Sequence, residues 1–307
     1  MTQESSTPIS RRTAVRQLGF GAALLAGAAA SPPLVRAADN NAPASRRGQI
    51  KQSVCRWCYG KLTLDALCTA AVDMGLKSVE LLQPSDFETV KQHGLICAMV
   101  SNPVVPVGSL TLGSITHAWN RLEYHDPLVP AYEAHLQATA AAGFPNLICF
   151  SGNRAGMDNE QGLQNCATGI KRILPLAEKL GVTVCMELLN SRVNHKDYMC
   201  DHSEWGVALV RQISSERFKL LYDIYHMQIM EGDIIATIQR DHASIGHYHT
   251  GGVPGRHEID DTQELYYPAV KRAIAATGFG GYVAQEFVPA NPDPLAGLRQ
   301  GVQICDV

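Results

Sequence analysis

A chain of 307 residues that is 46% hydrophobic and 18% charged is long enough to bury a large core and needs no disulfide or metal staple to fold. Its formal charge of −3, with no basic stripe, argues against a nucleic-acid partner. Nine cysteines is an odd number, and Cys97, Cys149, Cys185 and Cys305 lie in apolar runs, so they read as buried small hydrophobes rather than a disulfide framework.

The chain opens on Ser10-Arg11-Arg12-Thr13, an apolar stretch at 18–30, and small residues around Val35-Arg36-Ala37-Ala38. This order predicts an export signal over 1–37, cleaved after Ala37. The paired arginines assign it to the twin-arginine route, whose machinery reads the signal as an address. Ala14 stands where that signal usually carries a large apolar residue. The apolar stretch is well short of the roughly 20 residues that span a bilayer, so stable membrane insertion is not expected. Removing 1–37 takes away four arginines and one glutamate and leaves a charge of −6. A periplasmic location follows from this reading, and folding in the cytoplasm before export reconciles it with unpaired cysteines. A polar linker follows at 38–49.

From residue 50 to 307, β-rich runs alternate with helical segments. Strands are expected at 51–57, 77–83, 95–101, 146–151, 182–189, 218–224, 245–250 and 281–287. Between them, Leu163, Ala167, Ile170, Leu174, Ala177 and Leu180 recur at helical spacing, as do Leu295, Leu298, Val302 and Cys305. Gly75, Gly94, Gly143, Gly181 and Gly278 each stand where a helix ends before the next strand. Eight such units in about 250 residues predict an α/β fold, a (β/α)₈ TIM barrel preceded by the export signal. A doubly wound sheet would place a glycine-rich loop after its first strand, and Trp57-Cys58-Tyr59-Gly60 is no such loop. Cys55 and Cys58 have the spacing of a redox or zinc pair but lack a second pair.

Four of the apolar runs end in a group that is costly to bury alone: Glu187, Asp223, His249 and Glu286. They fall at or near the C-terminal ends of strands five to eight, the end of a barrel that carries its chemistry. Adjacent strands lie roughly 5 Å apart, so the four can converge on one divalent cation. Three carboxylates and an imidazole favour Mn²⁺ or Mg²⁺, with Co²⁺ or Zn²⁺ also compatible.

Met-Glu-Leu-Leu-Asn at 186–190, Tyr-Asp-Ile-Tyr-His-Met-Gln-Ile-Met-Glu-Gly-Asp at 222–233 and Gly-Gly-Val-Pro-Gly-Arg-His-Glu-Ile-Asp at 251–260 resemble the xylose-isomerase-like barrels, most closely the hydroxypyruvate isomerases. The resemblance covers 50–307 and is densest from 182 to 288. It implies that Glu187, Asp223, His249 and Glu286 hold the metal and that Glu187 and Glu286 also move the substrate proton. It further implies that His226 and Arg256 contact substrate. At His249 the chain departs from hydroxypyruvate isomerases, which often carry Gln there, and matches ketose 3-epimerases.

The residue chemistry agrees with that class. Moving a proton beside a carbonyl requires a base, and a divalent ion can stabilise the enediolate oxygens. Arg256 follows Pro254-Gly255 in a loop, and its planar guanidinium suits a substrate carboxylate. His247 shares a strand face with His249 one layer deeper, which suits a supporting role. His257 and Glu258 are expected to support the Arg256 loop. His195 and Lys196 follow strand five near the mouth, and Trp57 and Tyr59 end strand one as wall or packing residues. The expected activity is isomerisation of a small hydroxy-carbonyl compound, best specified as hydroxypyruvate to tartronate semialdehyde through a metal-bound enediolate. The alternatives are a ketose 3-epimerase, a lyase or dehydratase on an oxidised sugar, and an exported sugar-binding protein. Homo-oligomerisation is compatible with the resemblance, and an endonuclease is disfavoured by the acidic charge.

Overall fold

Apolar runs of this length become parallel strands when helices cover one face and the barrel interior the other, so that neither face meets water. The computed structural model describes residues 48–307. The export signal expected at 1–37 and all but the last two residues of the linker expected at 38–49 lie outside the described residues. Among the described residues the strands are β1 (Lys51–Cys55), β2 (Ser78–Glu80), β3 (Val105–Val107), β4 (Leu110–Leu112), β5 (Asn146–Cys149), β6 (Thr183–Glu187), β7 (Phe218–Asp223), β8 (Ile245–Thr250) and β9 (Tyr282–Gln285). Seven of them form one parallel sheet in the order β2-β1-β9-β8-β7-β6-β5, while β3 and β4 form a separate hairpin.

The sheet closes through a segment that is not a regular strand. Single parallel bridges Ser78↔Ile96, Leu82↔Val100 and Val100↔Leu147 link β2 to β5. The strand expected at 95–101 is therefore present as bridges rather than a ladder. Side chains divert its backbone: Ala98 N donates to Ser78 Oγ at 2.9 Å, and Asn146 Nδ2 donates to Ala98 O at 2.8 Å. The first strand is also shorter than expected, because the chain turns into a 3₁₀ helix at Arg56–Tyr59.

Helices alternate with the strands. Asn159–Leu180 buries Leu163, Ala167, Ile170, Leu174 and Ala177, starts on the Asp158 side chain and ends at Gly181. Gly143 and Gly181 adopt the left-handed conformation at their helix ends, where a Cβ would be strained. The other three glycines expected to end helices also have positive φ. All nine cysteines are free, and all but Cys58 are buried. No helix among the described residues is long and apolar enough to cross a membrane.

Candidate metal centre and active site

The ends of β6 to β9 bring the four predicted groups together. Glu187 ends β6, Asp223 ends β7, His249 is the penultimate residue of β8, and Glu286 follows β9. Asp223 pairs directly with His249 in the sheet register. One ligand atom from each of the four lies within 4.8 Å of the others, and all four residues are buried. Three carboxylates buried side by side repel one another unless a cation lies among them. The donor set therefore fits a divalent ion with a preference for oxygen.

His249 is aimed at that point by a residue the sequence reading passed over. Glu80, at the end of β2 and fully buried, accepts from His247 Nε2 at 2.7 Å and from His249 Nε2 at 2.9 Å. With Nε2 committed to Glu80, Nδ1 is the His249 nitrogen available to a cation. It lies 2.5 Å from Glu286 Oε2 and 3.5 Å from Glu187 Oε1, with hydrogen-bond alignment to neither. Burial opposes ionisation of Glu80, but His247 and His249 hold its carboxyl down to about 2. The detectable signal was a carboxylate between Val79 and Leu81-Leu82, inside the strand expected at 77–83. Glu80→Gln is expected to weaken Mn²⁺ affinity about 10- to 100-fold, as loss of a carboxylate behind a ligating imidazole does. Calorimetric titration of the metal-free protein checks this, and an unchanged affinity removes the orienting role.

The two glutamates differ in their surroundings. Glu286 is engaged on both oxygens: Oε1 accepts from Trp57 Nε1 at 2.7 Å, and Oε2 meets Arg256 Nη2 and His249 Nδ1. Burial disfavours its charge, yet His249 and Arg256 keep it well below the usual carboxylate range. Glu187 has only the longer His249 contact and lines the cavity, and burial pushes it up to about 7. Burial also raises Asp223 against the pull of Arg256. Burial lowers His249, but Glu286 and the groups beside it drive it well above the ordinary imidazole value. A divalent ion held here would need the neutral ring.

Arg256 is drawn further into the cluster than its loop position implied. Nη2 bonds Asp223 Oδ2 at 2.6 Å and also Glu286 Oε2, and the guanidinium stacks 4.8 Å from the Tyr225 ring centroid. Its Nε and Nη1 are buried without a partner. His226 also sits at the cluster. Its Nδ1 faces Asn190 N at 3.2 Å and Asn190 Nδ2 at 2.6 Å, which makes Nδ1 the acceptor and places the proton on Nε2, 3.7 Å from Asp223 Oδ2. Burial keeps this ring neutral by lowering its pKa well below the ordinary value.

The lesser candidates separate cleanly. Trp57 and His195 line the cavity, whereas Tyr59 is buried and packs edge-on to Phe287. Glu258 accepts from the backbone of Ala290 and Asn291, and His257 Nδ1 meets Val288 O at 2.9 Å, so both brace the loop. Cys55 Sγ lies 3.8 Å from His249 Nε2, and burial holds its thiol protonated. Cys58 stands in the 3₁₀ turn rather than on the strand.

A profile of the xylose isomerase-like TIM barrel family matches residues 68–306. The chain belongs to this family. Among relatives of this xylose isomerase-like barrel, the 2-oxo-tetronate isomerase of Cupriavidus necator is 37% identical over 109 residues, 36% of this chain and 41% of that protein. The match thus spans about two fifths of that relative's length. The hydroxypyruvate isomerase of Escherichia coli is 25% identical over 251 residues, 78% of this chain and 93% of its own. The solved structure of an AP endonuclease, family 2, from Brucella melitensis superposes with a TM-score of 0.70 at 24% identity, covering 81% of this chain and 96% of its own. That likeness is one of fold.

Proposed function

We propose that the protein is a metal-dependent isomerase of small hydroxy-carbonyl compounds, and that it converts hydroxypyruvate to tartronate semialdehyde. The observation that carries this reading is the convergence of Glu187, Asp223, His249 and Glu286 at the barrel mouth, with Glu187 open to the cavity. These four would hold the ion, Mn²⁺ or Mg²⁺ by the hardness of the oxygen set, with Co²⁺ or Zn²⁺ also accommodated. When bound, the ion supplies Lewis-acid polarisation of the substrate oxygens.

The remaining chemistry belongs to side chains. Glu187 takes a proton from the hydroxymethyl carbon, giving an enediolate. The hydroxyl proton passes through Glu286 to the former carbonyl carbon, and Glu187 returns its proton to the former carbonyl oxygen. One C–H and one O–H bond thus break and one of each forms. Arg256 offers Nε and Nη1 to the substrate carboxylate, and His226 offers its Nε2 proton to a substrate oxygen. The twin-arginine signal at 1–37 and a periplasmic destination form part of the same reading, and fractionation of cells expressing the full chain tests them.

The decisive experiment incubates metal-loaded protein with hydroxypyruvate in deuterated water. Tartronate semialdehyde carrying deuterium at the former carbonyl carbon is the expected result. Absence of both product and exchange of the substrate's hydrogen would overturn the assignment. The second reading, a ketose 3-epimerase, rests on His249, and a panel of free ketohexoses separates the two. Arg256→Ala should cripple turnover of the acid far more than that of a neutral ketose, because only the acid presents a carboxylate.

A further inference from the structure

A backbone N–H can only donate, so it fixes which end of a side-chain amide it meets is the oxygen. In the loop after β6, a chain of such assignments runs from the fully buried Asn190 outward to the cavity. Asn190 Oδ1 accepts from Val193 N at 2.9 Å and from Asn194 N at 3.0 Å. Its other terminal atom is therefore the nitrogen, and Nδ2 donates to His226 Nδ1 at 2.6 Å and to Asn194 Oδ1 at 2.8 Å. Tyr225 Oη donates to the same Asn194 oxygen at 2.9 Å. Both lone pairs of that oxygen are thus in use, and the Asn194 NH₂ makes no bond among the described residues. Asn194 lines the cavity above the carboxylate cluster, so what it leaves for a ligand is a donor.

Its neighbours on the same cavity wall have the same polarity. Arg256 commits Nη2 to Asp223 and Glu286 and keeps Nε and Nη1 unbonded. His226 accepts at Nδ1 and carries its proton on Nε2. Tyr225 holds these groups together. The Arg256 guanidinium lies 4.8 Å from its ring centroid, the His226 ring stands edge-on at 5.1 Å, and its hydroxyl is bonded to Asn194. A patch of N–H donors fits an anion, and a carboxylate offers about four acceptor sites over its two oxygens. Arg256, with Nη2 already engaged, leaves part of that capacity for a second residue.

We infer that Asn194 is a substrate-binding residue, which donates through Nδ2 to the substrate carboxylate beside Arg256 and so favours an acid over a neutral ketose. This rests on the hydroxypyruvate reading proposed above and adds a specificity-determining residue to it. Asn190 touches no substrate. It is a positioning residue that turns the Asn194 amide and the His226 Nε2 proton toward the cavity. The carboxylate is not among the reacting atoms, so its hydrogen bond is made alike in the bound substrate and in the transition state. Loss of that bond therefore appears in KM rather than in kcat.

The test measures kcat and KM for hydroxypyruvate with the full-length, Mn²⁺-loaded wild type, Asn194→Ala and Asn194→Asp. The two substitutions separate a role toward substrate from one within the loop. Asp keeps an oxygen for Asn190 and Tyr225 but puts a negative charge where the donor was, whereas Ala removes every one of these interactions. A residue that binds the carboxylate ranks wild type above Ala and Ala above Asp. One that only braces the loop ranks Asp above Ala. Ala is expected to raise KM about 10- to 100-fold, the range for a hydrogen bond to a charged group. Asp should raise it at least about tenfold further, because like charges then face each other. In both variants kcat should stay within about threefold of the wild type. A KM that Asp raises no more than Ala does, or a loss confined to kcat, overturns the inference. Calorimetric binding of hydroxypyruvate separates that outcome from failure of the isomerase reading. If the wild type binds the acid without turning it over, the isomerase reading falls and Kd replaces KM in the same ranking. If the wild type neither binds nor exchanges hydroxypyruvate, both fall.

Discussion

Glu187→Gln is expected to lower deuterium exchange into hydroxypyruvate by about 10²- to 10⁴-fold, the usual contribution of a positioned general base. The amide keeps the size of the side chain and one oxygen but cannot accept the proton. Glu187 is the more informative of the two glutamates to change. Glu286 is held by Trp57, Arg256 and His249, so altering it disturbs three partners at once. The carboxylate of Glu187 has one long contact, to His249, and opens on the cavity. Because Glu187 is also a proposed ligand, the comparison must be made at equal Mn²⁺ occupancy, verified by elemental analysis. A fully loaded variant that retains more than a tenth of the wild-type exchange rate would remove Glu187 from the proton-transfer role.

The four clustered groups were legible because each breaks an apolar run, and barrel topology converts consecutive strand ends into neighbours. Glu80 was missed because its segment, Lys77 to Gln83, is itself half polar and its partners His247 and His249 lie 167 and 169 residues away. Only the closure of the sheet, with β1 and β9 between β2 and β8, brings them across the barrel to one another. The strand expected at 95–101 failed for a local reason that composition hides. Ser78 and Asn146 satisfy the backbone of Ala98 with side chains, so the ladder is interrupted although the burial pattern is that of a strand. Arg256 was recognisable as a site residue from its loop motif. Its pairing with Asp223 and Glu286, and the fixing of Trp57 on Glu286, are contacts 30 or more residues apart that periodicity cannot encode.

The Arg256 pairing leads to the second large effect, on stability. Asp223 is fully buried and Glu286 is 3% exposed; the Arg256 guanidinium pairs with both, and His249 lies against Glu286. Arg256→Met keeps an unbranched apolar side chain while deleting the guanidinium that lies over Tyr225 and Trp57. Removing one partner of a buried ion pair typically costs about 3–5 kcal/mol, because the other charge stays desolvated and unmatched. For a domain of this size each kcal/mol shifts Tm by about 2–4 °C, so the metal-free variant should melt roughly 6–20 °C below the metal-free wild type. Saturating Mn²⁺ should recover much of that loss, since a cation bound only by the folded state supplies the missing charge. The variant should therefore gain more from the metal than the wild type does. Thermal unfolding in chelator and in Mn²⁺ measures all four values. If the two proteins melt together in chelator, the guanidinium is not balancing the carboxylates. If the variant falls but Mn²⁺ restores nothing, the cluster is held by Arg256 without being a cation site.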